Sequence, residues 1–178
     1  MHTFHARRVL SDVEVVRGKL EDEAGWIEWR LHWVTAIVLI RAVGHVLAKV
    51  DGKAVPVVGA LASELHRRWK AGCDSDAIFC DFIEQERNSI LKEYEFGMSE
   101  GPIPVTTTMQ NPVTGELFEQ HALIGENIYR PMWSGPYEGE DGRTLLDEAI
   151  TWWRVQLDWI DKETAARLGG DDPSKKAD

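Results

Sequence analysis

Residues 26–49, WIEWRLHWVTAIVLIRAVGHVLAK, decide the fold expected for this chain. Arg41, His45 and Lys49 interrupt the most apolar part of this segment, so we interpret it as the central helix of a soluble bundle rather than a membrane span. Its other large side chains are mostly apolar, and those at helical spacing form one stripe, comprising Trp26, Trp29, Trp33, Ile37, Ile40 and Leu47.

Helix-start and turn signals predict the elements on either side of this segment. Ser11 and Glu14 have the spacing of a capping box, which predicts a first helix from Ser11 to about residue 24. The Asp51–Gly52 pair predicts a loop after the central helix. A shorter amphipathic helix is then expected over residues 59–70.

The next part of the chain predicts one more helix and then a change to extended structure. Asp74 or Ser75 is suited to cap a helix that we expect to end near Gly97. Residues 103–130 contain β-branched alternation around the turn sequence NPVTG, which predicts a β-hairpin excursion.

The C-terminal region returns to helical periodicity. A last amphipathic helix is expected from Thr144, and residues 169–178 are a polar tail expected to be disordered. Residues 1–168 are then a single domain. The fold class predicted is mainly α, an antiparallel helical bundle with a β-hairpin insertion before its last helix.

Composition limits the classes of function. The 178 residues include 43% hydrophobic and 28% charged residues, typical of a globular protein, and carry a net charge of −10. Such a charge gives no overall attraction to nucleic acid or anionic membranes, so an RNA ligand would need a local basic patch. Cys73 and Cys80 lack metal-site spacing, and we expect no metal, no cofactor and no signal peptide. A cytoplasmic protein without membrane association is the prediction.

Arg41 and His45 are an unusual polar pair on the central helix. They are four residues apart, and thus on one face, among apolar neighbours. A buried guanidinium needs a carboxylate, and periodicity places Glu86 on the core stripe of a later helix. We expect an Arg41–Glu86 bridge, which either locks the packing of two helices or belongs to a polar site.

The stretch ERNSILKEY, residues 86–94, is the other candidate for chemistry. Arg87 and Tyr94 are seven residues apart and share a helical face, whereas Asn88 and Lys92 share another. Arg87 and Lys92 are five residues apart, so they would point about 140° away from each other in a regular helix. They would converge only in a distorted helix or between two copies of the chain.

This stretch resembles the motif of the higher eukaryote and prokaryote nucleotide-binding (HEPN) domains. That motif has an Arg, a polar residue, three others and a His, often followed two positions later by Tyr. Arg87, Asn88 and Tyr94 match it, and Lys92 stands where the His belongs. The resemblance implies a small antiparallel helical bundle, frequently a homodimer, of a family with many metal-independent ribonucleases in defence and toxin–antitoxin systems.

Lys92 changes the chemistry that the resemblance implies. A Lys with a pKa of about 10 is a poor base near neutral pH, although it holds a phosphate or donates a proton. We therefore expect a domain that binds RNA, a nucleotide or a partner protein, with weak or degenerate ribonuclease activity. The candidates for catalysis are Arg87, Lys92 and Tyr94, and the candidates for binding are Asn88, Arg41, His45 and Glu86. The alternative is a non-catalytic structural or interaction module whose polar residues only make salt bridges.

A basic cluster lies elsewhere in the chain. His66, Arg67, Arg68 and Lys70 surround Trp69, a pattern that would suit contact with RNA but also an ordinary helix end.

Overall fold

A computed structural model of the chain describes residues 1–21, 25–71, 74–98, 101–125 and 129–169. These residues are mainly helical and include one two-stranded antiparallel sheet, as the sequence predicts. The helices are α1 (Phe4–Lys19), α2 (Trp26–Val46), α3 (Gly52–Ala54), α4 (Pro56–Lys70), α5 (Gln85–Glu93) and α6 (Gly142–Gly169). The strands, β1 (Ile103–Gln110) and β2 (Leu117–Ile124), come before the last helix.

Helix α2 supplies much of the core. By length and composition alone, the continuous helical stretch Trp26–Ala54 is apolar enough to cross a membrane. The core helix of a globular domain has the same properties, and α2 packs against both α1 and α5. Its buried side chains are Trp29, Trp33, Ala36, Ile37, Ile40 and Val43.

Helix α1 begins earlier than the capping box indicates. It starts at Phe4 and ends at Lys19, so the prediction of a start at Ser11 is wrong. Two remote carboxylates cap this end. Asp161 of α6 accepts hydrogen bonds from the backbone N–H groups of His2 and Thr3 and from the Thr3 hydroxyl, and Asp51 accepts from the backbone N–H groups of His5 and Ala6. Because remote side chains stabilise the free N–H groups, the start of this helix has no local sequence signal.

The Asp51–Gly52 pair lies in helical backbone, so the predicted loop is wrong. A π-helical turn, Leu47–Asp51, joins α2 directly to α3. A Cβ on Gly52 would lie 2.7 Å from the Cα of Gly59, so glycine allows α3 to approach α4. The buried Asp51 carboxylate accepts hydrogen bonds from the backbone of α1, including one of 2.9 Å from Ala6.

A second π-helical segment, Ile78–Glu84, leads directly into α5. The helix ends at Glu93 rather than near Gly97, because Tyr94 adopts a left-handed conformation with φ of 57°. The residues after it turn back across the bundle, where the backbone N–H of Gly97 donates to the Glu86 carboxylate.

Strands β1 and β2 form the hairpin expected from the NPVTG turn. They are paired in register from Ile103 with Ile124 to Gln110 with Leu117. The Asn111 side chain accepts hydrogen bonds from the backbone of Val113 and Thr114 and stabilises the turn. Of the tail predicted over 169–178, Gly169 is helical and the remainder lies outside the described residues.

Candidate functional site

A groove between α2 and α5 brings together residues of both candidate motifs. Its volume is about 360 Å³. Helical spacing places Arg41 and His45 on one wall, and Arg87 and Asn88 lie on the other. Four of the predicted site residues thus meet in one depression. The complete lining comprises Val38, Arg41, Ala42, His45, Glu84, Arg87, Asn88 and Leu91.

The carboxylate partner of Arg41 is Glu84. The Nη2 atom of Arg41 donates to Glu84 Oε1 over 3.1 Å, so the predicted bridge from Arg41 to Glu86 is wrong. The other Glu84 oxygen accepts from Lys70 Nζ at 2.6 Å. Burial of the Glu84 carboxyl acts to raise its pKa, but the hydrogen bonds and charges of Lys70 and Arg41 outweigh it and lower the pKa. Glu84 therefore remains ionised and holds two cations at the rim of the groove.

Arg87 differs from Arg41 because a neutral side chain holds it. Its Nη1 donates to Asn88 Oδ1 over 2.8 Å. In the parts of the chain that the structure describes, no carboxylate lies within ion-pair distance of Arg87. The half-buried guanidinium retains donors in a depression that contains a second guanidinium and an imidazole. This arrangement suits an incoming anion.

Glu86 does not line the groove. Its side chain is 3% exposed, and its carboxylate accepts a 2.9 Å hydrogen bond from the Trp33 indole and further bonds from the Gly97 backbone. Burial raises the pKa of Glu86, although these hydrogen bonds oppose the rise. Its position indicates a structural role, because it links α2, α5 and the segment after α5.

Lys92 and Tyr94 lie apart from Arg87. Lys92 lines a different depression, which adjoins the groove through Glu84 and Asn88 and also contains the Glu93 carboxylate. The Tyr94 ring lies beyond the helix end, 5.4 Å from the Phe96 ring. Within one chain, Arg87 and Lys92 thus line different depressions, as their angle in a regular helix indicates, and Tyr94 follows the end of α5.

A second cavity adjoins the groove and was not predicted. Its volume is about 260 Å³, and Arg41 and His45 line both depressions. The opposite wall comes from α4 and the second π-helical segment, with His66, Trp69 and Phe79. The spacing of Arg41, His45 and Lys49 indicates that they share one helical face. The sequence around them does not indicate that this face contacts α4.

Comparison with known proteins identifies no relative from which a function could be inferred. No protein-family model, curated protein or solved structure matches this chain. Among the described residues, no group of three or more His, Cys, Asp and Glu side chains is placed to hold a metal ion. The arrangement of cations and imidazoles therefore carries the functional argument.

Proposed function

We propose that this helical domain binds a phosphate-bearing ligand, RNA or a nucleotide, in the groove between α2 and α5. The observation that carries the proposal is the guanidinium of Arg87, which has a neutral partner and lies in one depression with Arg41 and His45. Guanidinium groups present several N–H donors in a planar fork that matches a phosphate group.

Local charge supports binding of an anion despite the acidic chain. The linings of the groove and the cavity include the cations of Arg41, Lys49 and Arg87, and the carboxylate in them is Glu84. The whole chain has a net charge of −10, so this region differs in sign from the average surface. A local cationic patch of this kind is what an RNA ligand requires.

The proposal extends to the HEPN-like character of the domain, its cytoplasmic location and a role in a defence or toxin-type system. The Arg87–Asn88 sequence and the helical fold support the HEPN-like character. Because Lys92 lies outside the groove, binding without cleavage is the activity proposed for one chain. Weak ribonuclease activity requires a homodimer in which Lys92 of one copy approaches Arg87 of the other.

Binding of a fluorescent RNA oligonucleotide, followed by anisotropy at low salt, tests the proposal. We expect Arg87→Ala to weaken binding about 10- to 100-fold, the effect of losing one hydrogen-bonded charge. It should also reduce the slope of affinity against salt by about one ion. Arg154→Ala is the matched control, because it removes the same charge from an exposed α6 residue paired with Glu14.

Two results would overturn the proposal: no binding of RNA or nucleotide by the wild type, or equal weakening by Arg87→Ala and Arg154→Ala. Glu84→Gln gives an independent check. It removes the carboxylate that holds Arg41 and Lys70, so RNA affinity should rise.

A second candidate function, self-association, is favoured by the hairpin. Its paired residues Val105 with Ala122 and Met109 with Phe118 lie on one face of the ribbon. Both Met109 and Phe118 are more than 40% exposed. The partner is a second copy of the chain, because this uncharged face lets two acidic chains meet without opposing like charges.

A further inference from the structure

The cavity beside the groove has a different lining from the groove itself. Its floor contains Trp69 and Phe79, both almost fully buried, with ring centroids 5.3 Å apart. The exposed His66 ring stands edge-on to both, at 6.3 Å from Trp69 and 6.0 Å from Phe79. The apolar side chains of Leu47, Ala48 and Ala62 complete much of the wall. Such a lining suits a flat ring better than a bare anion.

The lining of the cavity also contains polar groups. Partial burial of the His66 ring lowers its pKa, and the positive charges of Arg41 and Lys70 lower it further, against the attraction of Glu84. In its neutral form, an imidazole offers one hydrogen-bond donor and one acceptor. His45 and Ser63 add polar atoms at the opening. These groups match the mixed donor and acceptor edge of a heterocyclic base.

Size and position limit the ligand further. At about 260 Å³, the cavity lies below the ~300–1,000 Å³ of pockets for drug-sized molecules, so it suits a single small ring system. Arg41 and His45 line both the cavity and the groove, so a ring in the cavity would be adjacent to an anion in the groove. A ring and an adjacent phosphate are the two parts of a nucleotide unit.

We infer that the cavity is a base-binding subsite, which takes the ring of the nucleotide whose phosphate lies against Arg41 and Arg87. This inference rests on the proposed function and adds to it, since a groove that bound only phosphate would not distinguish RNA from other polyanions. His66, Trp69 and Phe79 are the residues of the subsite, and the ring lies between the α2 wall and the α4 wall.

The test compares two strands of equal length and charge, octauridylate and its abasic ribose-phosphate analogue. We expect the wild type to bind octauridylate at least about 5-fold more tightly, the lower end of the range for contact of one base with aromatic side chains, because Trp69 and Phe79 expose little ring surface. Ala48→Phe and Ser63→Phe fill the cavity from its two walls and should remove this preference while leaving the affinity for the abasic strand. Thr35→Phe is the control, because Thr35 is an exposed α2 residue that lines neither depression.

The outcomes distinguish the base subsite in the cavity from the phosphate site in the groove. Equal binding of both strands, still sensitive to Arg87→Ala, would overturn the base subsite and leave the phosphate groove standing. Retention of the preference in both filled variants, with unchanged circular dichroism, would also overturn the subsite. Absence of binding to either strand would overturn the proposed function itself. Competition by uridine monophosphate, but not by ribose 5-phosphate, would support the subsite with a free nucleotide as its ligand.

Discussion

At the scale of single residues, the carboxyl group of Glu86 is enclosed by N–H donors rather than by a cation. The indole of Trp33 and the backbone of Gly97 are its hydrogen-bond partners in the described residues. Burial raises the pKa of Glu86, so the folded protein binds its proton more tightly than the unfolded chain. This contribution to stability is present at low pH and is lost as pH rises from the ordinary glutamate pKa through the raised one.

Glu86→Gln should remove this pH dependence. The amide oxygen keeps an acceptor for Trp33, and no charge has to be buried at neutral pH. We therefore expect the stability of the variant relative to the wild type to increase as pH rises above the ordinary glutamate pKa, as measured by urea unfolding. Glu95→Gln, at an exposed position, is the control. A relative stability that does not change with pH would contradict this account of Glu86.

At this scale, the sequence predicts which side chains are buried better than it predicts the residues that they contact. The 3.6-residue period correctly places Glu86 among core side chains. It gives no information on which residue of α2 faces it. In the structure Arg41 meets Glu84, the last residue of the π-helical segment, where the wider turn departs from the period assumed for a regular helix.

At the scale of elements, the contact of Gly52 with Gly59 fixes how α3 meets α4. A methyl group at Gly52 would lie 2.7 Å from a backbone atom and 3.2 Å from two more, so neither helix could yield without moving its backbone. Gly52→Ala should therefore lower the free energy of unfolding by about 1–3 kcal/mol, the usual cost of overpacking. Urea or thermal unfolding measures the loss.

Gly18→Ala is the matched control for that substitution. A Cβ at Gly18 would have no heavy atom within 4 Å, and Gly18 lies in α1. Alanine there should be neutral or stabilise by up to about 1 kcal/mol, because glycine is the poorer helix former. An equal response of both variants would show that the glycine contact is not what positions α3.

The elements differ in how far local sequence determines them. The hairpin and α6 are predicted correctly because their turn residues and periodicity are local signals. The start of α1 is not, because Thr3 and its capping residue Asp161 are 158 positions apart. The Asp51–Gly52 pair also misleads, since tertiary packing holds a usual turn dipeptide in helical backbone.

At the scale of the whole molecule, Asp161 connects α6 to the beginning of α1. Burial acts to raise the pKa of Asp161, but the hydrogen bonds from His2, Thr3 and Arg7 outweigh it and lower the pKa. A lowered carboxyl pKa stabilises the fold above the ordinary aspartate pKa, and this stability is lost as pH falls through the lowered value.

Asp161→Asn should cost about 1–2 kcal/mol of unfolding free energy at neutral pH, since it weakens the cap. The difference from the wild type should shrink in acid, as measured by urea unfolding. Asp158→Asn is the control, because Asp158 also pairs with Arg7 but is 71% exposed, and exposed pairs contribute little. A cost that is constant from neutral to acidic pH would contradict the role of the Asp161 charge.

The proposed homodimer depends on the uncharged face of the hairpin. Phe118→Glu places a charge on this face, and we expect it to convert a wild-type dimer to a monomer in light scattering. Thr106→Glu adds the same charge to the opposite face, directly across from His121, because strand residues alternate, and should leave the dimer intact. A wild type that is monomeric at every concentration would exclude self-association through the hairpin.

Six of the eight tryptophans form two groups of three, in which neighbouring rings are in contact. Trp29 is stacked 5.7 Å from Trp26 and 5.5 Å from Trp33, whereas Trp69 is 5.1 Å and 5.2 Å from Trp152 and Trp153. Rings this close share the excitation created by absorbed ultraviolet light. Each group therefore has its own near-ultraviolet circular dichroism, and the second group, which includes Trp69 from the floor of the cavity, reports local loosening without an added label.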